Sequence, residues 1–139
     1  MNTGRLFTRA HVALYKISRG RLGGQFRGAP VLLLTTAGSK SGKERTTPLL
    51  YLKDGDRLII VASNGGRDKS PSWWTNLRHN PEAQVQIRGE KKEIVARRAT
   101  AEEKERLWPE LTKMYPAYND YQQKTRRDIP VVILSPAKS

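Results

Sequence analysis

The sequence predicts an α+β domain, a small antiparallel barrel or sheet with helices outside it. Three observations carry this. Alternating apolar segments of strand length are joined by tight turns at Asp54-Gly55 and Gly89-Glu90, which make antiparallel hairpins. Helix signals fall beside these hairpins instead of after every strand, so a doubly wound parallel sheet is excluded. A chain of 139 residues forms one domain and buries a real core without disulfides or a structural metal.

Taken in order, Leu6, Ala10, Ala13, Leu14 and Ile17 recur at helical spacing, with Arg5, Arg9, Lys16 and Arg19 elsewhere on the wheel. Such a basic amphipathic helix either packs on the domain or lies in a membrane interface. Gly20 to Pro30, with four glycines, reads as a flexible connector. Residues 1–30 thus form an N-terminal arm and residues 31–139 the barrel domain. Strands are expected at Val31–Thr36, Thr46–Lys53 and Arg57–Ser63, the last two joined at Asp54-Gly55. Ser63-Asn64-Gly65-Gly66 ends the third strand in a glycine loop. Ser70 fits an N-cap and Pro71 the first position of a short helix that Asn80-Pro81 ends. A second hairpin pairs Ala83–Arg88 with Lys91–Arg98 around Gly89-Glu90. Thr100-Ala101-Glu102-Glu103 is a capping box, opening a helix with Leu107, Leu111 and Met114 on its apolar face. Pro109 is expected to kink or restart it. An aromatic-rich connector then leads to a closing strand, Ile129–Leu134, for about six strands in all.

Composition narrows the chemistry. Without cysteine, disulfides, thiolate metal sites and cysteine nucleophiles are excluded. No apolar run reaches the ~18–20 residues that span a bilayer, and no signal-peptide pattern opens the chain, so a cytoplasmic location is expected. A net charge of +13 points to an anionic partner: nucleic acid, a membrane surface, or a phosphorylated or carboxylated ligand. Residues 1–45 hold nine Lys and Arg against one acid, Glu44.

The stretch Thr35 to Pro48, TTAGSKSGKERTTP, carries Lys40, Lys43 and Arg45 between two strands. A nucleotide P-loop is ruled out. The span from Gly38 to Gly42-Lys43 is one residue short, Glu44 stands where a hydroxyl residue binds magnesium, and a strand follows instead of a helix. An anion-binding loop of another kind and a solvated basic hairpin tip both remain. At Ser63–Gly66 the glycines allow close backbone approach to a ligand. Trp73 and Trp74 are neighbours on a helix, about 100° apart, so one is expected in the core and the other lining something. Tyr115, Tyr118 and Tyr121, at three-residue spacing, fall on one side of a short or 3₁₀-like turn, where they either wall a slot for a flat molecule or seal the barrel's end. His11 and His79, the only histidines, are placed on helix surfaces, so no His-based triad and no metal site is expected. Anion loop, aromatic walls and no proton-shuttling histidine describe a host for a cofactor that brings its own chemistry.

The order LLLTTAGSKSGKERTTPLLYL, ASNGG, PSWWTNL, NP and WPELTKMYPAYNDYQ, from about Val31 to Pro136, resembles the deazaflavin-dependent nitroreductase family of actinobacteria. The resemblance implies a split β-barrel binding the 5-deazaflavin coenzyme F420, whose reduced form delivers hydride to quinones, nitroaromatic or nitroimidazole compounds and activated enones. By the same resemblance, Lys40, Ser41 and Arg45 hold the coenzyme's phosphate and acidic tail. Thr47, Pro48, Val61, Ala62, Ser63, Asn64, Gly65 and Gly66 lie beside its ring, and Trp73 and Asn76 complete the pocket. Ser63 sits near the hydride, and Tyr115, Tyr118 and Tyr121 shape the acceptor side, with Tyr118 orienting or protonating the acceptor. The N-terminal helix matches a segment that meets the membrane in some relatives, which extends the expected location to the inner face of the plasma membrane. Three positions depart from the pattern: Asn64 replaces a lysine, with Lys69 nearby to substitute; Ser39 replaces a basic residue; and Leu50 stands where a tyrosine occurs. Three rivals are an FMN-binding split barrel, a non-catalytic carrier of the deazaflavin and a basic nucleic-acid binder. Against the last, the cations cluster early and the aromatics late, without the interleaving of a single-strand groove.

Overall fold

A computed structural model describes residues 11–13, 15, 16, 18, 20, 24–26 and 28–137. The strands are β1 (Gln25–Phe26), β2 (Ala29–Ala37), β3 (Glu44–Leu50), β4 (Leu52–Asp54), β5 (Arg57–Val61), β6 (Glu82–Ile87), β7 (Glu90–Arg98) and β8 (Val131–Pro136). Helical residues at 11–13, 15, 16 and 18 form α1. They are followed by a 3₁₀ turn (Asn64–Gly66), α2 (Ser72–His79), α3 (Ala101–Met114) and α4 (Ala117–Lys124).

All eight strands belong to one antiparallel sheet, ordered β1-β2-β6-β7-β8-β5-β4, with β3 added to β2. β3 and β4 therefore stand at opposite ends of the hydrogen-bonded path, yet only Tyr51 separates them in the chain. The sheet must curl until its ends meet. They meet without pairing, because among the described residues β3 ladders only with β2. The result is a split β-barrel, with the split running along β3.

Alternation divides the side chains between two faces. Leu32, Leu34, Ile60, Val85, Val132 and Leu134 fill the barrel with Trp73, Trp74 and Leu77 of α2. On the outer face, Ile59, Val131 and Ile133 meet Leu107 and Leu111 of α3 and Tyr118 of α4. Val31 and Leu33 meet Tyr15 and Val12 of α1.

Several expectations need correction. The expected strand Thr46–Lys53 is two strands with Tyr51 between, the strand expected to reach Ser63 stops at Val61, and eight strands replace six. The connector Gly20–Pro30 contains β1 and the start of β2, because pairing with β2 orders residues that have no strand signal of their own. Both hairpin turns are one residue away from the expected pair. Asp54 pairs Arg57, so the first turns at Gly55-Asp56, not Asp54-Gly55. Ile87 pairs Glu90, so the second turns at Arg88-Gly89, not Gly89-Glu90, with Arg88 at a positive φ of 56°. Pro71, not Ser70, is the N-cap of α2, and α3 runs unbroken through Pro109. The aromatic connector is a helix, α4. In α1 the buried side is Tyr15 and part of Val12, while Ala13 is exposed. Leu6, Ala10, Leu14 and Ile17 lie outside the described residues, as do Arg5, Arg9 and Arg19. The capping box forms as expected, with Glu103 N–H donating to Thr100 Oγ1 (3.1 Å) and Thr100 N–H to Glu103 Oε1 (2.9 Å).

Candidate active site

A cavity of about 690 Å³ opens at the split, within the range of small-molecule sites. One side is β3, from Thr47 through Leu50. The floor is Val61 with Ser63, Asn64 and Gly65, continuing through Lys69–Ser72 to Trp73. The opposite wall is Tyr115, Tyr118 and Tyr121, and His11 and Phe26 complete the rim.

The floor is a strained loop held from below. Asn64, Gly65 and Gly66 have φ of 48°, 65° and 82°, a left-handed run that only glycine and asparagine adopt cheaply. At Gly66 a Cβ would come within 2.8 Å of the Tyr121 carbonyl oxygen and 2.9 Å of its Cα, so glycine there lets the loop touch α4 backbone to backbone. Gly65 faces open space. Arg127 collects the loop's carbonyls: Nη2 donates to Ser63 O (2.7 Å), Nε to Arg67 O (2.8 Å) and Nη1 to Ala62 O (3.1 Å). Asn64 Nδ2 donates to Lys69 O (3.0 Å), folding the chain so that Lys69 reaches the wall.

The tyrosine wall is a packed aromatic cluster. Tyr115 and Tyr118 meet edge to face at 5.0 Å between centroids, and Tyr121 lies 6.2 and 6.4 Å from them. The Tyr115 and Tyr121 hydroxyls hydrogen-bond each other at 3.2 Å. Tyr118 is 5% exposed, and no hydrogen bond to its hydroxyl occurs among the described residues. Burial, and then the neighbouring phenols, push its pKa well above the usual 10.0. Tyr118 therefore stays protonated across physiological pH and is a donor, never a base.

The β2–β3 hairpin tip is built differently. Lys40, Ser41 and Arg45 are exposed and do not line the cavity. Arg45 pairs with Thr36 in the ladder, and alternation puts it on the same face of β3 as Thr47, which does line the cavity. The tip is fastened to α2 by Asn76, whose Oδ1 accepts from Ser39 N–H (3.0 Å) and whose Nδ2 donates to Thr36 Oγ1 (3.1 Å).

The structure thus brings Thr47, Pro48, Val61, Ser63, Asn64, Gly65, Trp73, Tyr115, Tyr118 and Tyr121 around one cavity. Ala62, Gly66 and Asn76 lie behind that surface, where their contacts are with the protein itself. Trp74 packs in the core and Trp73 lines the cavity, the division expected of neighbours on a helix; both are buried, because α2 plugs the barrel. His11 was expected on a helix surface and instead stands half-buried on the rim. His11, Phe26 and Arg127 are not legible as site residues in the sequence, since each reaches the site only through pairing or packing across the chain. Among the described residues no cluster of His, Asp or Glu fits a metal ion.

The chain matches the family model for F420H(2)-dependent quinone reductases over residues 7–136. An F420H(2)-dependent quinone reductase of Mycobacterium tuberculosis is 39% identical over 131 residues, covering 91% of this chain and 88% of that protein. Among solved structures, an F420-H2 dependent reductase (FDR-A) is 41% identical, with a TM-score of 0.70 over 76% of this chain and 94% of that one. Another, described as a domain-swapped dimer, is 33% identical, with a TM-score of 0.73 over 96% of this chain and all (100%) of that one. The chain belongs to the F420H(2)-dependent quinone reductase family and is an oxidoreductase that uses reduced coenzyme F420.

Proposed function

We propose that the cavity at the split holds the deazaflavin head of coenzyme F420 against β3 and the Ser63–Gly65 floor, with a quinone or nitro acceptor between the head and the tyrosine wall. The observation that carries this reading is that Tyr118, buried and with a hydroxyl not engaged by a described residue, shares one cavity with the glycine floor and with β3, which among the described residues ladders only with β2. The residues fit the group. Gly65 leaves room for close approach, Thr47–Leu50 offer strand edge, and about 690 Å³ accommodates two flat molecules in contact.

Bound there, reduced F420 supplies the hydride. The chain's own residues bind, orient and protonate. Lys40, Ser41 and Arg45 hold the phosphate and acidic tail from the hairpin tip, where exposed cations act through long-range attraction and are screened by salt beyond ~8 Å. Lys69, on the cavity wall, replaces the anion contact that Asn64 cannot make. Trp73, Val61 and Ser63, which line the cavity, would hold the ring. Hydride arrival leaves negative charge on an acceptor oxygen. The Tyr118 hydroxyl donates a hydrogen bond or proton to that oxygen, assistance typically worth about 10²–10⁴-fold. Tyr115 and Tyr121, bonded to each other, keep Tyr118 in place.

The test is spectroscopic. Protein mixed with reduced F420 and menadione or a nitroaromatic is expected to reoxidise the coenzyme with saturable dependence on both. No reoxidation above the protein-free rate with any such acceptor ends the reading. No described helix is long and apolar enough to cross a membrane. Peripheral contact through the N-terminal helix remains a proposal carried by the resemblance. Co-sedimentation with anionic vesicles, lost on removal of residues 1–10, supports it, and recovery of the intact chain in the supernatant overturns it.

A further inference from the structure

Arg127 spends its guanidinium on three main-chain carbonyls, those of Ala62, Ser63 and Arg67, at 2.7–3.1 Å. A trans peptide points its N–H opposite to its C=O, and no peptide described here is cis. Drawing the Ala62 and Ser63 carbonyls toward Arg127 therefore turns the N–H groups of Ser63 and Asn64 the other way. Arg127 does not line the cavity, whereas Ser63 and Asn64 do, so those N–H groups are turned toward the ligand side. Arg127 also sits at the C-terminal end of the tyrosine helix. Its carbonyl accepts from Gln122 Nε2 (2.8 Å), and Thr125 Oγ1 two residues earlier donates to Asp68 Oδ1 (2.9 Å). With the backbone contact at Gly66 and Tyr121, three independent ties join the glycine floor to α4.

We propose that Arg127 is a positioning residue of the coenzyme site. By gathering the three carbonyls it fixes the peptide planes that present the Ser63 and Asn64 N–H groups to the coenzyme ring, and it holds that floor at a set distance from Tyr118. This rests on the placement of the coenzyme head proposed above. Lysine replaces it only in part, because its ammonium is a single point of donation while the planar guanidinium fork spreads its donors across the three carbonyls.

Lys104 supplies a matched control. Its Nζ donates to Gln122 Oε1, Asp128 Oδ1 and Ile129 O at 2.6–3.1 Å, pinning the same segment to α3, but it does not line the cavity. R127Q, R127K and K104M are compared by thermal melting, by amide hydrogen exchange without ligand, and by F420 affinity and menadione kinetics. In R127Q the amides of residues 63–68 are expected to exchange faster, the F420 Kd to rise about tenfold, and kcat/KM to fall about 10–100-fold, the scale of a small misplacement. R127K falls between R127Q and the wild type. K104M loses Tm but keeps the wild-type Kd. Wild-type exchange of the loop in R127Q overturns the inference, as do changes in Kd and kcat/KM no larger than those of K104M. Wild-type protein in which F420 protects neither residues 63–66 nor 115–121 removes the coenzyme placement, and this inference with it.

Discussion

The glycine floor and the hairpin tip, both assigned to the coenzyme, are held by opposite physics. The floor is anchored by the buried Ser63 and Gly66, turns through three positive φ angles, and is tied to the α4 end by Arg127, Thr125 and the Gly66 contact. The tip is exposed, and among the described residues its cations have no ion-pair partner; the ion pairs there lie around Asp54, Glu90, Glu103 and Asp128. Hydride transfer demands fixed distances between flat groups, and on the proposed reading the packed wall and floor supply them. A phosphate with a flexible acidic tail needs only attraction, so long exposed side chains suffice. The same contrast separates Tyr118 from Lys40: one is placed by packing, the other by sequence at a loop.

Four experiments break or sharpen this contrast. The largest effect is expected from Tyr118→Phe. Loss of the acceptor's hydrogen-bond donor lowers kcat about 10²–10³-fold, while F420 affinity, measured by fluorescence, stays near wild type; weakened coenzyme binding instead would move Tyr118 to the other side of the cavity. Gly66→Ala comes next. Its Cβ meets Tyr121 backbone at a positive φ, so a destabilisation of about 2–3 kcal/mol is expected in denaturant unfolding, with turnover falling as the floor separates from α4. A neutral alanine would show that the floor is not pressed on the helix. Lys40→Ala is expected to raise the F420 Kd several-fold at low salt and much less at high salt. A salt-independent change would make the tip a fixed contact and erase the contrast.

The smallest effect concerns acid. Arg97 donates to Glu103 at 2.7 and 2.8 Å, and this pairing, helped by the Thr100 N–H, lowers the Glu103 pKa to about 2. A carboxylate depressed in the folded state adds stability that is complete above its unfolded pKa of ~4.3 and is lost as pH falls toward 2. Because the pair is largely solvent-exposed, the contribution is small. Melting temperature is expected to fall more steeply between pH 4.5 and 2 in the wild type than in Glu103→Gln. Parallel slopes would show that the capping box does not depend on this charge.

What could be read in advance follows the range of the interaction. The Thr100–Glu103 box, the presence of a hairpin turn at Gly55 and the end of α2 at Asn80 were legible because each is decided by partners within a few residues. So were the glycine floor and the three tyrosines, whose residue types narrow their uses. The roles of Arg127 and Asn76 were not, because their partners lie 65 and 40 residues away. The division between Trp73 and Trp74 was legible from helix geometry, but not that α2 plugs the barrel and so encloses both.

By itself, then, the sequence determined the antiparallel α+β class, the order of the motifs, and through them the family and its coenzyme. Only the tertiary structure decided that, among the described residues, β3 would ladder on one edge alone, and that the cavity would open there. It also decided that Ser63 and Tyr118, far apart in the chain, would face one space. The physical reason is that local propensities choose elements, while the curling of a sheet chooses which distant residues meet.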